Sequence, residues 1–156
     1  MMNDRQRKRE KIVFRILFAI YVLLVIYFLF FAEMTGRTIS DRTYHYNLIL
    51  FKEIKRFVIY RDQLGWFTVL ANLVGNVLIF VPFGMMIPFL TKHFKKFLGV
   101  LLLTFELSVL VELVQLVTKV GSCDVDDILL NTIGGVIGYV CYVIAVRWRR
   151  KVRYGK

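Results

Sequence analysis

The chain has 156 residues, 58% of them hydrophobic, with 22 lysines and arginines against 11 acidic residues for a net charge of +11. That apolar share exceeds the roughly 45–50% of soluble domains, and it is gathered into four long blocks that leave no room for a separate soluble domain. The positive charge lies in short runs beside those blocks, unaccompanied by any motif that reads bases or phosphates, which argues against nucleic-acid binding and for membrane anchoring.

In chain order, residues 1–11 carry the basic head Arg5-Gln6-Arg7-Lys8-Arg9-Glu10-Lys11, and an apolar block over residues 12–32 follows. About 20 apolar residues suffice to cross a hydrocarbon core of about 30 Å. The block is longer than the apolar region of a signal peptide and ends without a small-residue cleavage site. It therefore reads as an uncleaved first span, with Arg15 reaching back to the interface.

The connection over residues 33–65 is too long for a simple turn. In it Leu48, Phe51, Ile54, Phe57 and Val58 recur at helical spacing, with Lys52, Glu53, Lys55 and Arg56 opposite. That pattern predicts a short amphipathic helix, lying either on the membrane surface or against the bundle. A second span covers residues 66–90 with Trp66 at the interface; Pro82 and Pro88 predict a kink, or an early end near Pro82-Phe83-Gly84. The third and fourth spans cover residues 97–118 and 128–146, and a basic tail, residues 147–156, closes the chain.

Orientation follows from the connections. The head, the Lys92-His93-Phe94-Lys95-Lys96 turn and the Arg147-Trp148-Arg149-Arg150-Lys151 tail are basic, whereas residues 119–127 hold three aspartates and one lysine. The positive-inside rule places the basic segments in the cytoplasm and the acidic one outside. The expected fold class is thus all-α: one polytopic membrane domain over residues 1–156, four transmembrane helices, both termini cytoplasmic, and an outer-face amphipathic segment between the first and second spans.

With that topology three spans bring polar residues to the same outer depth. Asn72 and Asn76 share a face of the second span, Ser108, Glu112 and Gln115 form a stripe on the third, and Asp124, Asp126, Asp127 and Asn131 open the fourth. Side chains this costly in lipid normally face the bundle interior or water, so the set predicts an outward-facing polar pocket. Glu112 and Asp127 are the candidate acid–base pair. Structural readings stand beside it: the asparagines can be interhelical hydrogen-bond donors, and Asp126 or Asp127 can cap the fourth helix. Glu106 lies off the stripe near mid-membrane with no assigned role.

Gly134, Gly135 and Gly138 read as packing residues that let helices approach closely. Cys123 and Cys141 lie too far apart to pair and read as free thiols. His45 and His93 fall in opposite connections, and neither metal-ligand spacing nor a cofactor-binding motif is present, so no metal or cofactor is expected.

Four stretches, in order, resemble the VanZ-like family of small bacterial membrane proteins, named for a glycopeptide-resistance accessory protein. They are Tyr46-Asn47-Leu48-Ile49-Leu50-Phe51-Lys52-Glu53-Ile54, with Leu50 where the family usually has proline; Asn72-Leu73-Val74-Gly75-Asn76-Val77-Leu78-Ile79-Phe80-Val81-Pro82-Phe83-Gly84; Ser108-x-x-x-Glu112-x-x-Gln115; and Asp124-Val125-Asp126-Asp127-Ile128-Leu129-Leu130-Asn131-Thr132-Ile133-Gly134-Gly135. The likeness covers residues 46–140. An arginine that many members carry before the last motif is replaced by Lys119 or nothing.

The resemblance implies action at the cell envelope, in the cytoplasmic membrane of a bacterium, lowering susceptibility to teicoplanin-type glycopeptides. Partners would be the lipid bilayer and a lipid-linked wall precursor or the glycopeptide itself. Two other classes remain open from the residues: a membrane enzyme using paired carboxylates on a lipid-linked substrate, and a non-catalytic scaffold whose polar cluster only holds the helices together.

Overall fold

The computed structural model describes residues 4–27, 44–91 and 93–154, and the side chains of residues 8–27, 44–91 and 93–152. Six helices and two short strands follow one another as α1 (Asp4–Ile26), β1 (Tyr46–Asn47), α2 (Lys52–Ile59), α3 (Arg61–Leu64), α4 (Trp66–Leu90), α5 (Phe97–Thr118), β2 (Cys123–Asp124) and α6 (Val125–Tyr154). Three of them, α4, α5 and the Val125–Val152 part of α6, are long and apolar enough to cross a membrane. The first expected span is helical as far as Ile26, and the remainder, residues 28–32, lies outside the described residues, as does the start of the connection, residues 33–43.

The expected early end near Pro82 does not occur. Helix α4 runs unbroken through Pro82 and Pro88 to Leu90. A proline inside a helix removes one backbone donor and disturbs the turn before it, and membrane helices tolerate this where neighbours supply partners. The carbonyl that Pro82 leaves without its usual donor is that of Leu78; at the next residue the Tyr21 hydroxyl of α1 donates to the Ile79 carbonyl at 2.6 Å, tying α1 to α4 at this turn.

Small residues set the spacing of the bundle. A Cβ on Gly84 would fall on the backbone of Gly135, one on Gly134 would meet the Val77 carbonyl, and one on Gly138 the Val81 carbonyl. Gly135 faces the side chain of Thr104 on α5. Thr104 is fully buried, and its hydroxyl is satisfied by the Val100 carbonyl at 2.7 Å. Helix α6 thus lies with its backbone against α4 on one side and α5 on the other, the close approach that lipid-embedded helices use in place of a hydrophobic driving force.

Aromatic rings close the basic end. Phe14 stacks on Phe89 at 5.3 Å, Phe89 meets Tyr142 edge-on at 4.7 Å, and Tyr139 meets Phe97 at 5.7 Å, so α1, α4, α6 and α5 are joined in one layer. These contacts fix direction: α1 and α5 run away from this end, and α4 and α6 run towards it.

Candidate functional site

The opposite end, where α5 stops and α4 and α6 start, holds the polar residues. The chain leaves α5 through Lys119, in the left-handed region at φ 57°, and reverses at Gly121, φ 87°. The Lys119 and Val120 amides return to the Gln115 carbonyl, closing the helix. Strand β2 then pairs in parallel with β1, Tyr46 beside Cys123 and Asn47 beside Asp124. Two residues of parallel pairing are too few to hold by themselves. Buried side chains do the holding.

Glu112 is buried near the end of α5, and its Oε2 accepts the Asp124 amide at 2.8 Å. Asp124 is the residue before α6. Its Oδ1 accepts the Asp126 amide at 2.8 Å, an N-cap bond, and the Asn47 Nδ2 of β1 at 3.0 Å. Asn47 completes its own turn by accepting the Ile49 amide at 3.1 Å and donating to the Ile49 carbonyl at 3.2 Å.

Asp126, only 1% exposed, turns away from its own helix towards α2. Its Oδ1 accepts the Phe51 amide, and its Oδ2 accepts those of Glu53 at 2.8 Å and Ile54 at 3.1 Å. Helix α2 has Phe51 at its N-cap, in the left-handed region at φ 65° and with no capping side chain of its own. The strain of that conformation, of order 1–2 kcal/mol, is offset because it aims the Phe51 amide at a carboxylate. The expectation that Asp126 or Asp127 caps the fourth helix is therefore corrected. Helix α6 begins at Val125 rather than at residue 128, so Asp124 is the cap, both following aspartates lie in the first turn, and Asp126 caps a different helix.

The remaining candidates divide by depth. Asn76 donates to Asp127 Oδ1 across the α4–α6 contact. One turn deeper, Asn131 donates to the Ser108 hydroxyl at 2.9 Å, both fully buried, while the Asn131 Oδ1 has no hydrogen-bond partner among the described residues. Gln115 is buried in the last turn of α5. Asn72 is exposed and bonds back to the Thr68 carbonyl at 2.8 Å.

An open cleft of about 250 Å³ lies over this assembly. Asn72, Asp124 and Asp127 reach it, joined by His45, Glu53, Arg56, Phe57 and Ser122. Glu112, Asp126, Ser108, Gln115, Asn131 and Asn76 do not line it. The predicted polar set is thus a buried clamp plus a smaller cleft surface. The candidate acid–base pair is split between them, with Asp127 at the cleft and Glu112 beneath β2.

Glu53 and Arg56 form an ion pair at 2.7 Å on the cleft wall, one helical turn apart. Both came from the polar face of the predicted amphipathic segment, where only their exposure was legible. Among the described residues, no group of three or more His, Cys, Asp or Glu is placed to hold a metal ion.

Burial pushes the Asp124 carboxyl above the ordinary carboxylate range, and the charge of Asp126 acts the same way; the Asp126 amide, Asn47 and Arg56 pull it back. A carboxyl raised in the folded state holds its proton to higher pH than in the unfolded chain, so its contribution is most favourable at low pH and is lost as pH rises through the raised value. Asn keeps the one oxygen that both donors use. We expect the thermal stability of purified wild type to fall relative to Asp124→Asn as pH is raised from about 4 towards 7. Burial likewise raises the Cys123 thiol, helped by Glu112 and Asp124, which leaves it unreactive. Lys119 sets its ammonium over the Tyr44 ring at 4.3 Å and forms no ion pair among the described residues.

Comparison with known proteins decides the family. The profile of the VanZ/LLP1 family matches residues 18–146. The chain belongs to the VanZ/LLP1 family. A relative, Protein VanZ of Enterococcus faecium, is 29% identical over 137 residues, covering 85% of this chain and 74% of its own length. No solved structure matches the chain. In this VanZ/LLP1 member the matched region spans the clamp, the cleft, α4, α5 and α6 as far as residue 146.

Proposed function

We propose that this VanZ/LLP1 member works at the outer face of a bacterial cytoplasmic membrane, with both termini in the cytoplasm. There its cleft binds the polar part of a lipid-bearing envelope ligand and lowers susceptibility to teicoplanin-type glycopeptides. One observation carries this reading: a polar cleft is walled in part by a short helix that also exposes apolar side chains. Asp124, Asp127, Glu53 and Arg56 line it, and on α2 and its approach Leu48, Ile49, Val58 and Ile59 are exposed. A polar cleft next to a helix that also exposes apolar side chains suits a ligand whose headgroup is in water and whose tail is in lipid, such as a lipoglycopeptide or a lipid-linked wall precursor. The basic segments at the other end of the bundle support this orientation.

Binding is favoured over catalysis. The buried Glu112 carboxylate already accepts the Asp124 amide and stands outside the cleft, and acid–base work requires reach to the substrate.

The test is teicoplanin and vancomycin susceptibility of a host expressing wild type, Asp127→Asn or Glu112→Gln, with membrane levels measured. Wild type is expected to protect against teicoplanin more than against vancomycin. Asp127→Asn keeps the oxygen that accepts Asn76 and is expected to lose protection at an unchanged protein level. Glu112→Gln is expected to lower the level itself. Full expression of wild type with unchanged susceptibility removes the resistance reading, and an Asp127→Asn effect confined to protein level leaves only the scaffold.

A further inference from the structure

Glu106 sits near the middle of α5 (Phe97–Thr118), about 13 Å along the helix from its Phe97 end at about 1.5 Å per residue. It is exposed, and no hydrogen bond or ion pair engages it among the described residues. The buried face of the same helix is the one bearing Thr104, Ser108, Glu112 and Gln115. At 100° per residue Leu102, Leu110, Leu113 and Val117 all fall within about 40° of Glu106, and all four are exposed. The result is a continuous apolar stripe with a single carboxyl at its centre, in a helix long and apolar enough to cross a membrane. A carboxyl facing hydrocarbon lacks the hydrogen bonds water would give it, and ionisable groups in such helices normally find a partner.

Copies of one membrane protein insert with the same orientation, so a two-fold axis relating two of them runs along the membrane normal. Such an axis brings a residue opposite its own equivalent at the same depth. A carboxylic acid is self-complementary in that setting: the hydroxyl of each donates to the carbonyl oxygen of the other. The stripe also has the right period, since residues 106 and 113, and residues 110 and 117, recur at sevens, the repeat of a left-handed helix pair. We propose that this face of α5 seats a second copy of the chain, with Glu106 hydrogen-bonded to the partner's Glu106 at the centre of the contact. The proposal is independent of what the cleft binds.

The experiment uses the full chain in native membranes, with Cys123 and Cys141 replaced by alanine and single cysteines introduced by Leu110→Cys, Leu113→Cys or, as a lipid-facing control on α6, Ile144→Cys. Oxidation is expected to give disulfide-linked dimers from positions 110 and 113 and not from 144. In parallel, native mass spectrometry of cysteine-intact protein in lipid nanodiscs is expected to show dimers for wild type and Glu106→Gln, whose amide can pair in the same way. For Glu106→Leu the dimer fraction is expected to fall at least severalfold while the monomer remains folded, since leucine suits lipid. A monomeric wild type, equal cross-linking at all three positions, or cross-linking of position 110 or 113 to a different protein would each overturn the second copy as occupant.

Discussion

Asp126→Ala is expected to cost about 3 kcal/mol or more of stability and to release residues 51–54 from the bundle. The carboxylate is the sole cap of α2 and accepts three of its amides from 72 to 75 residues away in sequence. Loss of an ordinary cap costs about 0.5–2 kcal/mol, and each buried donor left without a partner costs about 1–3 kcal/mol. Asp126→Asn is expected to be nearly as damaging. Both carboxylate oxygens are occupied by N–H groups, so an amide nitrogen in either place sets donor against donor. At Asp124, where both donors use Oδ1, the same substitution is expected to be mild. Thermal unfolding of the purified protein, with hydrogen exchange at the Phe51, Glu53 and Ile54 amides, measures both effects. Wild-type exchange and stability in Asp126→Asn would show that α2 is held by its packing instead.

The second large effect is expected at the glycines between α4 and α6. Gly84→Ala places a methyl on the Gly135 backbone and Gly138→Ala places one on the Val81 carbonyl, and neither obstacle can rotate away. Overpacking of this kind costs about 1–3 kcal/mol, and backbone obstacles put these sites at the upper end. Gly75, on the same helix as Gly84, has nothing near its missing Cβ. Gly75→Ala is therefore expected to be neutral or to stabilise by up to about 1 kcal/mol through helix propensity. The comparison holds the substitution and the helix constant and varies only the neighbour. Midpoints of thermal aggregation in one detergent suffice to read it, and equal loss at all three positions would refute close packing as the cause.

Both expectations rest on positions whose residue types were visible in the sequence but whose neighbours were not. Asp126 stood out as an acid at the start of a helix, and the rule that acids near a helix N-terminus serve that helix pointed the wrong way. The available signal was the complementary one: the four residues before Lys52, Leu48-Ile49-Leu50-Phe51, offer no Ser, Thr, Asp or Asn to cap α2, so that helix needed an acceptor from elsewhere. Asn47, which joins β1 to Asp124, was visible only as part of a motif, because a side-chain bond spanning 77 residues leaves no local pattern.

By itself the sequence determined the long apolar helices, the segregation of basic and acidic connections, the short helix after Leu50 and the family. Each is a property of periodicity, run length or ordered motif, set by the chain's local geometry and by the solvent a helix face requires. Only the tertiary structure decided which acids are structural and which face the cleft. Asp124, Asp126 and Asp127 are near neighbours in sequence, yet Asp124 caps α6 and reaches the cleft, Asp126 caps α2 and Asp127 faces the cleft, because residues at a helix start point about 100° apart and meet different elements. The position of Glu106 was in the sequence; that it faces outward, alone on an apolar stripe, followed only once α5 had been packed.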